Sequence, residues 1–278
     1  MSLETAYETC RRLHAKHGRS YYLATRLLPA HKRPAVHALY GFARWCDEIV
    51  DDLASTLTPE QKAAELDAFG RAALDGTSDH DVAVALRDTM ARWGIPKEHV
   101  EAFLRSMSMD LTIGTYKTYD DLLDYTHGSA AVIGLQMLPV LESVVPQEVA
   151  APYAADLGTA FQLTNFLRDV GEDLQRDRVY LPLEDLDAFG VDVDQLRAGV
   201  VDARFRQLMA FEVARTRELY RTAALGIRLL HPSSRRCISL ALHLYGGILD
   251  EIERADYRVL DSRVSVPPWR RAAALLRV

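Results

Sequence analysis

The chain has 278 residues, 49% of them apolar and 26% charged, which is enough apolar material for a large core and too much for a disordered segment. Its 39 acidic residues outnumber 33 Lys and Arg, giving a formal charge of −6; that argues against a nucleic-acid partner held by broad electrostatics. Three scattered cysteines, Cys10, Cys46 and Cys237, form no CxxC pair or His/Cys cluster, so a zinc site or disulfide framework is not expected and a reducing compartment fits. Helical periodicity dominates the chain and clean period-2 alternation is rare. Helices are expected at roughly 2–16, 20–27, 32–54, 59–75, 78–93, 97–113, 118–143, 147–176, 200–229 and 233–257. Thr58-Pro59-Glu60 reads as an N-cap followed by proline at the first helical position. Gly94-Ile95-Pro96 and Val145-Pro146 separate neighbouring helices, and Pro139 should kink the apolar segment that holds it. Residues 177–199 read as the longest irregular stretch. No Gly/Ser linker, low-complexity tract or repeat interrupts the sequence, so one all-α domain over 1–278 is expected.

No apolar run reaches the ~20 residues of a spanning helix, and the charged first twelve residues lack a signal-like apolar stretch. The protein is therefore expected to be cytoplasmic and to touch a membrane at most peripherally. The sequence carries no sign of its oligomeric state.

Two segments carry chemistry. In the first, which ends CDEIVDD, helical spacing puts Tyr40, Arg44, Asp47 and Asp51 within about 60° of arc. The neighbouring sector is Val36, Leu39, Ala43, Cys46 and Val50, and Glu48 and Asp52 point away. In the second, Gln162, Asn165, Asp169 and Asp173 fall within about 80° of arc, beside Leu163, Phe166, Leu167, Val170 and Leu174. Carboxylates one turn apart, about 6 Å at an effective dielectric near 20, repel by about 3 kcal/mol. Acidic pairs on solvated faces arise by chance among 39 acids. Two such pairs beside apolar sectors instead call for a compensating cation. Carboxylates and an amide oxygen, with no His or Cys near, suit a hard ion, magnesium first. Arg44 and Arg168 either neutralise these carboxylates or clamp a diphosphate, and the residues alone leave both readings open.

These motifs, taken in order, resemble the squalene/phytoene synthase family. Residues 17–22 (HGRSYY) resemble its N-terminal diphosphate-binding segment, and residues 40–52 its first aspartate-rich motif. Residues 128–134 (GSAAVIG) resemble the small-residue helix lining its product cavity. Residues 162–182, QLTNFLRDVGEDLQRDRVYLP, are similar to its long second signature, and 245–266 to its C-terminal helix and the arginine after it.

The resemblance implies an all-α isoprenoid-synthase bundle around a central cavity, with both aspartate motifs at the mouth. It implies magnesium, or manganese in its place, held by Asp47, Asp51, Asn165, Asp169 and Asp173. Arg44, Arg168, Tyr245 and Arg263 would grip diphosphate, helped by His17, Arg19, Ser20 and Tyr21, with Tyr40 and Gln162 also in substrate contact. Tyr180 would lie near the leaving group. Phe42, Val132, Leu135, Leu138, Phe161 and Leu163 are the candidate cavity wall. The implied reaction is the head-to-head condensation of two geranylgeranyl diphosphates, through a cyclopropylcarbinyl intermediate, to phytoene in carotenoid biosynthesis. No GxGxxG dinucleotide fingerprint occurs, so no NADPH is expected. The alternatives are a presqualene diphosphate or squalene-type synthase using farnesyl diphosphate, and a non-catalytic assembly or scaffold member, which would usually lack the aspartate motifs. The departures are Cys46 and Glu48 within the first motif and His127 where the family often has Tyr, read as a packing variant.

Overall fold

The computed structural model describes residues 2–52 and 54–275. The expected helix over 32–54 crosses Leu53, and the expected domain over 1–278 includes Met1 and residues 276–278; these five lie outside the described residues. Helix α1 (Leu3–His17) is capped by Ser2, whose hydroxyl accepts from the Thr5 amide at 3.1 Å. Helices α2 (Arg19–Thr25) and α3 (Arg33–Asp51) follow, the latter with proline in its first turn. Helix α4 (Pro59–Asp75) starts in a Thr58–Gln61 capping box, and α5 (Asp81–Trp93) ends on Gly94 at φ 63°. After α6 (Lys97–Met109), a second capping box between Thr118 and Asp121 opens α7 (Tyr119–Thr126). Then come α8 (Val132–Leu141), α9 (Gln147–Leu174), α10 (Leu183–Phe189) and α11 (Val193–Arg197). The described chain closes with α12 (Ala203–Gly226), α13 (Pro232–Arg254) and α14 (Pro268–Leu275). Among the described residues no strand forms; two isolated bridges, Thr115 with Val179 and Ser143 with Leu230, pin loops together.

Three features depart from the sequence expectation. The segment over 118–143 is not one helix: a π turn at His127–Ala131 separates α7 from α8, while Pro139 lies inside α8, which runs on to Leu141. The π turn sits where α6 presses closest. A Cβ on Gly128 would lie 2.1 Å from Ser106 Oγ and 2.4 Å from the Ala102 carbonyl. Residues 177–199 contain α10 and α11, of seven and five residues, too short for a 3.6-residue period to show. Helix α14 was not expected either; it is eight residues long and starts on a proline.

Helix α9 is the spine and packs on α8, α12, α13 and the π turn. One apolar cluster lies among α1, α3, α5, α6 and α8, with Cys10, Leu39, Phe42, Leu86 and Phe103 buried in it. A second joins α9, α12 and α13 through Leu167, Leu208, Met209, Leu249 and Ile252. A third, smaller and aromatic, holds Tyr116, Tyr125, Phe166 and Tyr180. All three cysteines are buried and unpaired. No helix among the described residues is long and apolar enough to cross a membrane.

Candidate active site

A cavity of about 540 Å³ opens between the two large clusters. Every long helix around it contributes a stripe at three- and four-residue spacing, the signature of one helical face. On α3 the stripe runs Val36, Leu39, Tyr40, Ala43 and then Arg44, Asp47, Asp51. On α9 it runs Ala150, Tyr153, Leu157, Phe161 and then Asn165, Asp169, Asp173. Both stripes change from apolar to charged in the same direction. The cavity thus has an apolar floor, near the start of α3 and α9, and a charged mouth near their ends.

Tyr21, Tyr40, Gln162, Arg168, Tyr180 and Tyr245 line the cavity with the expected acids and Arg44. Tyr21 stacks on Tyr245 at 4.4 Å between ring centroids, and Phe161 leans on Tyr245 at 4.7 Å. Tyr180 stacks on Phe166 at 3.9 Å. Arg168 Nε donates to Asp169 at 2.7 Å, and Arg263 Nε reaches the same carboxylate at 2.9 Å. Arg263 stands half-exposed outside the cavity lining and joins the site through this contact. His17, Arg19 and Ser20 do not line it; His17 and Arg19 are exposed and Ser20 is half-buried. The chain turns at Gly18, where a Cβ would lie 2.6 Å from the Tyr40 ring, and the turn sends the flanking His17 and Arg19 to the outside.

The wall differs from the expected one. Leu138 and Phe161 line the cavity, whereas Phe42, Val132, Leu135 and Leu163 do not. Each lies off the stripe of its helix: Phe42 packs on Phe69 and Phe103 at 5.9 Å, and Leu163 lies in the aromatic cluster. Leu39, Ile133, Met137 and Leu157 stand in the wall instead. His127 is exposed rather than packed. Glu48, expected to point away, accepts from Arg44 Nε at 3.2 Å.

Sequence reasoning missed Asp110 and Arg178, both of which line the mouth. Asp110 accepts from the Tyr125 and Tyr180 hydroxyls at 2.7 and 2.9 Å. Arg178 donates to Asp51 at 2.8 Å and to the Asp110 carbonyl at 3.2 Å, tying the loop after α9 to α3 and α6. Phe103, Met107 and Asp110 lie at helical spacing along the α6 stripe and its end, the one signal in the sequence that could have flagged this acid.

Burial and repulsion load the mouth. Desolvation, then the neighbouring Asp51 charge, pushes the Asp47 carboxyl up to about 7. Desolvation and the Asp169 charge push Asp173 up to about 8. Burial also raises Asp110, against the Arg178 charge. Asn165 Oδ1 is buried without a hydrogen-bond partner, an acceptor facing unmet demand. Among the described residues no three His, Cys, Asp or Glu side chains converge into a ready metal cage. The donor set is all oxygen: carboxylates raised by mutual repulsion and one orphaned amide oxygen. This fits a hard divalent ion that takes one or two protein oxygens and completes its shell from water and substrate phosphates.

An all-α bundle enclosing an apolar, aromatic cavity under an acid- and arginine-rich mouth is the architecture of an enzyme that handles apolar diphosphates. The chain belongs to the squalene/phytoene synthase family: the family profile described as squalene/phytoene synthase matches residues 14–270. As a member it is a prenyltransferase. It is 37% identical to a phytoene synthase of Arthrospira platensis over 97% of this chain and 91% of that one. It is 40% identical to a 15-cis-phytoene synthase of Synechocystis sp. over 96% of this chain and 82% of that one. The crystal structure of a dehydrosqualene synthase in complex with ligand superposes with a TM-score of 0.88 at 27% identity, covering 99% and 95% of the two chains.

Proposed function

We propose that this chain, acting as a single domain, joins two geranylgeranyl diphosphates head to head to give phytoene in carotenoid biosynthesis. The observation that carries the reading is the alignment of two acidic stripes at the mouth of one apolar cavity, on a chain akin to cyanobacterial phytoene-forming enzymes. Asp47, Asp51, Asn165, Asp169 and Asp173 would hold magnesium, or manganese in its place, which when bound supplies positive charge to the leaving diphosphate.

The chain's own groups do the rest. Arg168 and Arg263, both set against Asp169, with Arg44 and Arg178, present guanidinium groups where a diphosphate would arrive. His17, Arg19 and Ser20 serve as outer contacts at the rim. Tyr180, fixed by Asp110 and by its stack on Phe166, offers a positioned hydroxyl. Tyr21, Tyr245 and Phe161 present aromatic faces to a cationic intermediate, and the apolar stripes below exclude water from it.

The reading requires no reductant. We read the protein as cytoplasmic, with prenyl diphosphates as its substrates and no nucleic-acid partner. A second reading, a presqualene- or squalene-type condensation of farnesyl diphosphate, draws on the likeness to the dehydrosqualene synthase. Incubating the purified protein with geranylgeranyl or farnesyl diphosphate, magnesium, and NADPH present or absent distinguishes them. Phytoene from the C20 substrate, unchanged by NADPH, is the expected product. Turnover of the C15 substrate alone, or a reduced hydrocarbon with NADPH, overturns the phytoene reading.

A further inference from the structure

Two residues of the mouth, Arg178 and Tyr180, stand on no helix. They lie on the strap over 175–182 that joins α9 to α10, so helix geometry does not fix them. Backbone pairing supplies part of the hold. The Val179 amide donates to the Gly114 carbonyl at 2.7 Å, the Leu183 amide to that of Tyr116 at 2.9 Å and the Glu184 amide to that of Lys117 at 3.0 Å. These bonds tie the strap to the loop before α7, which is itself irregular, and a short two-stranded pairing is marginal alone.

The grip on the bundle comes from behind the strap. Arg215 on α12 does not line the cavity. Its Nη2 donates to Asp185, in the first turn of α10, at 2.7 Å, and to the two oxygens of Glu212 at 2.7 and 2.6 Å. Its guanidinium carbon lies over the Tyr119 ring, 3.7 Å from the centroid. Tyr119 opens α7, and its amide donates to Glu184 at 2.7 Å. One side chain of a 24-residue helix thus holds both the end of the strap and the loop with which the strap pairs.

Two carboxylates face this one guanidinium, and both are buried, Glu212 at 4% exposure and Asp185 at 8%. Burial pushes the Glu212 carboxyl up to about 7, against the Arg215 charge. Glu212 therefore holds its proton toward neutral pH and leaves the charge of Arg215 to Asp185. Asp185 is five positions from Tyr180 on a short, stiff connection. Small shifts there reach the mouth, where a 1 Å misplacement of a positioned group can cost about a hundredfold in rate.

We infer that Arg215 and Asp185 form a positioning clamp for the active site: by anchoring α10 to α12 they hold Tyr180 and Arg178 in place at the cavity mouth. On the reading of the mouth as the diphosphate site, on which this role rests, neither residue touches substrate; each acts through the strap.

The test compares two isosteric variants that each take one carboxylate from Arg215: Asp185→Asn, at the strap, and Glu212→Gln, on α12 itself. Hydrogen exchange is followed over residues 177–183, and pyrophosphate release is measured with C15 and C20 diphosphates and magnesium. Asp185→Asn should speed exchange of the Val179 and Leu183 amides by about tenfold and lower kcat by about tenfold. Glu212→Gln should leave both within about twofold of the wild type, whatever either variant does to Tm, because its carboxyl already keeps a proton. Arg215→Gln should act in the same direction as Asp185→Asn and takes its place if circular dichroism shows that Asp185→Asn does not fold. Unchanged exchange over 177–183 in Asp185→Asn, equal loosening by Glu212→Gln, or a loosened strap with wild-type kcat would each overturn the clamp. A wild type that turns over only the C15 substrate overturns the phytoene reading instead, and the clamp is then judged on that substrate.

Discussion

The two ends of the cavity are built from the same helices but hold their charges in opposite ways. At the mouth, Asp47 and Asp173 are held part-buried beside other acids, their protons retained to about 7 and 8. At the floor, the buried cation Lys32 is fully satisfied. Its ammonium donates to the Leu141 carbonyl at 2.9 Å and to Ser234 Oγ at 3.1 Å, and pairs with Glu142. It thereby ties the start of α3 to the end of α8 and the start of α13. A satisfied buried charge rigidifies, whereas repelling carboxylates store demand for a ligand. The contrast assigns stability to the floor and chemistry to the mouth, and substitutions can separate the two.

The largest effect belongs to the mouth acids. Asp47→Asn, Asp51→Asn, Asp169→Asn and Asp173→Asn should each lower turnover by about a thousandfold or more while circular dichroism stays unchanged, since each removes a charge the reaction needs and no core contact. Two of the four retaining wild-type turnover in a pyrophosphate-release assay would break the division. Next come the arginines. Arg168→Ala, Arg44→Ala and Arg263→Ala should raise KM for the diphosphate by about tenfold or more, Arg168 most because its side chain is only 14% exposed. Lysine at these positions should restore binding only in part, because it lacks the planar fork; full rescue at all three would reduce their role to charge balance.

The Lys32 tie, which does not line the cavity, should answer in stability alone. Lys32→Met strands the Glu142 carboxylate and leaves the Leu141 carbonyl with Ser234 as its remaining side-chain partner, at a cost of about 1–3 kcal/mol. A lower Tm with an unchanged KM is the expected result; a changed KM would link the two ends.

The smallest effect concerns pH. The folded protein keeps protons on Asp47 and Asp173 that the unfolded chain has released, because their carboxyls ordinarily titrate near 3.8. The folded state therefore binds more protons from about pH 4 to about pH 8, and this contribution to stability falls as pH rises through that window. Tm measured without magnesium should decline between pH 5 and pH 8. Asp47→Asn and Asp173→Asn should flatten the decline and melt higher at pH 8, by about 2–4 °C for each kcal/mol relieved. A flat wild-type profile would mean that the carboxylates are already compensated.

This asymmetry also governs what could be read in one dimension. The acidic stripes of α3 and α9 were legible because helical spacing alone puts Asp47 with Asp51 and Asp169 with Asp173. Asp110 was not, because its partners Tyr125 and Tyr180 stand 15 and 70 positions away. The Lys32 tie reaches 109 and 202 positions along the chain, and nothing local announces it. Ten helices were expected where the described residues form fourteen α-helices, and the errors fall where helices are too short for a period or where a π turn splits one. Wall residues were misread one position off their stripes, Val132 for Ile133 and Phe42 for Ala43. A 100° step per residue turns such a neighbour from the cavity into the core.

The most direct test of the division asks whether mouth and floor fail differently. Pyrophosphate release and hydrocarbon formation are measured with C15 and C20 diphosphates for Asp169→Asn at the mouth and Ala150→Leu at the floor. The account predicts that the mouth variant loses release with both substrates, whereas the floor variant keeps release with the C15 substrate and loses phytoene formation from the C20 one. A floor variant that abolishes release from both, or a mouth variant that spares one chain length, would contradict it.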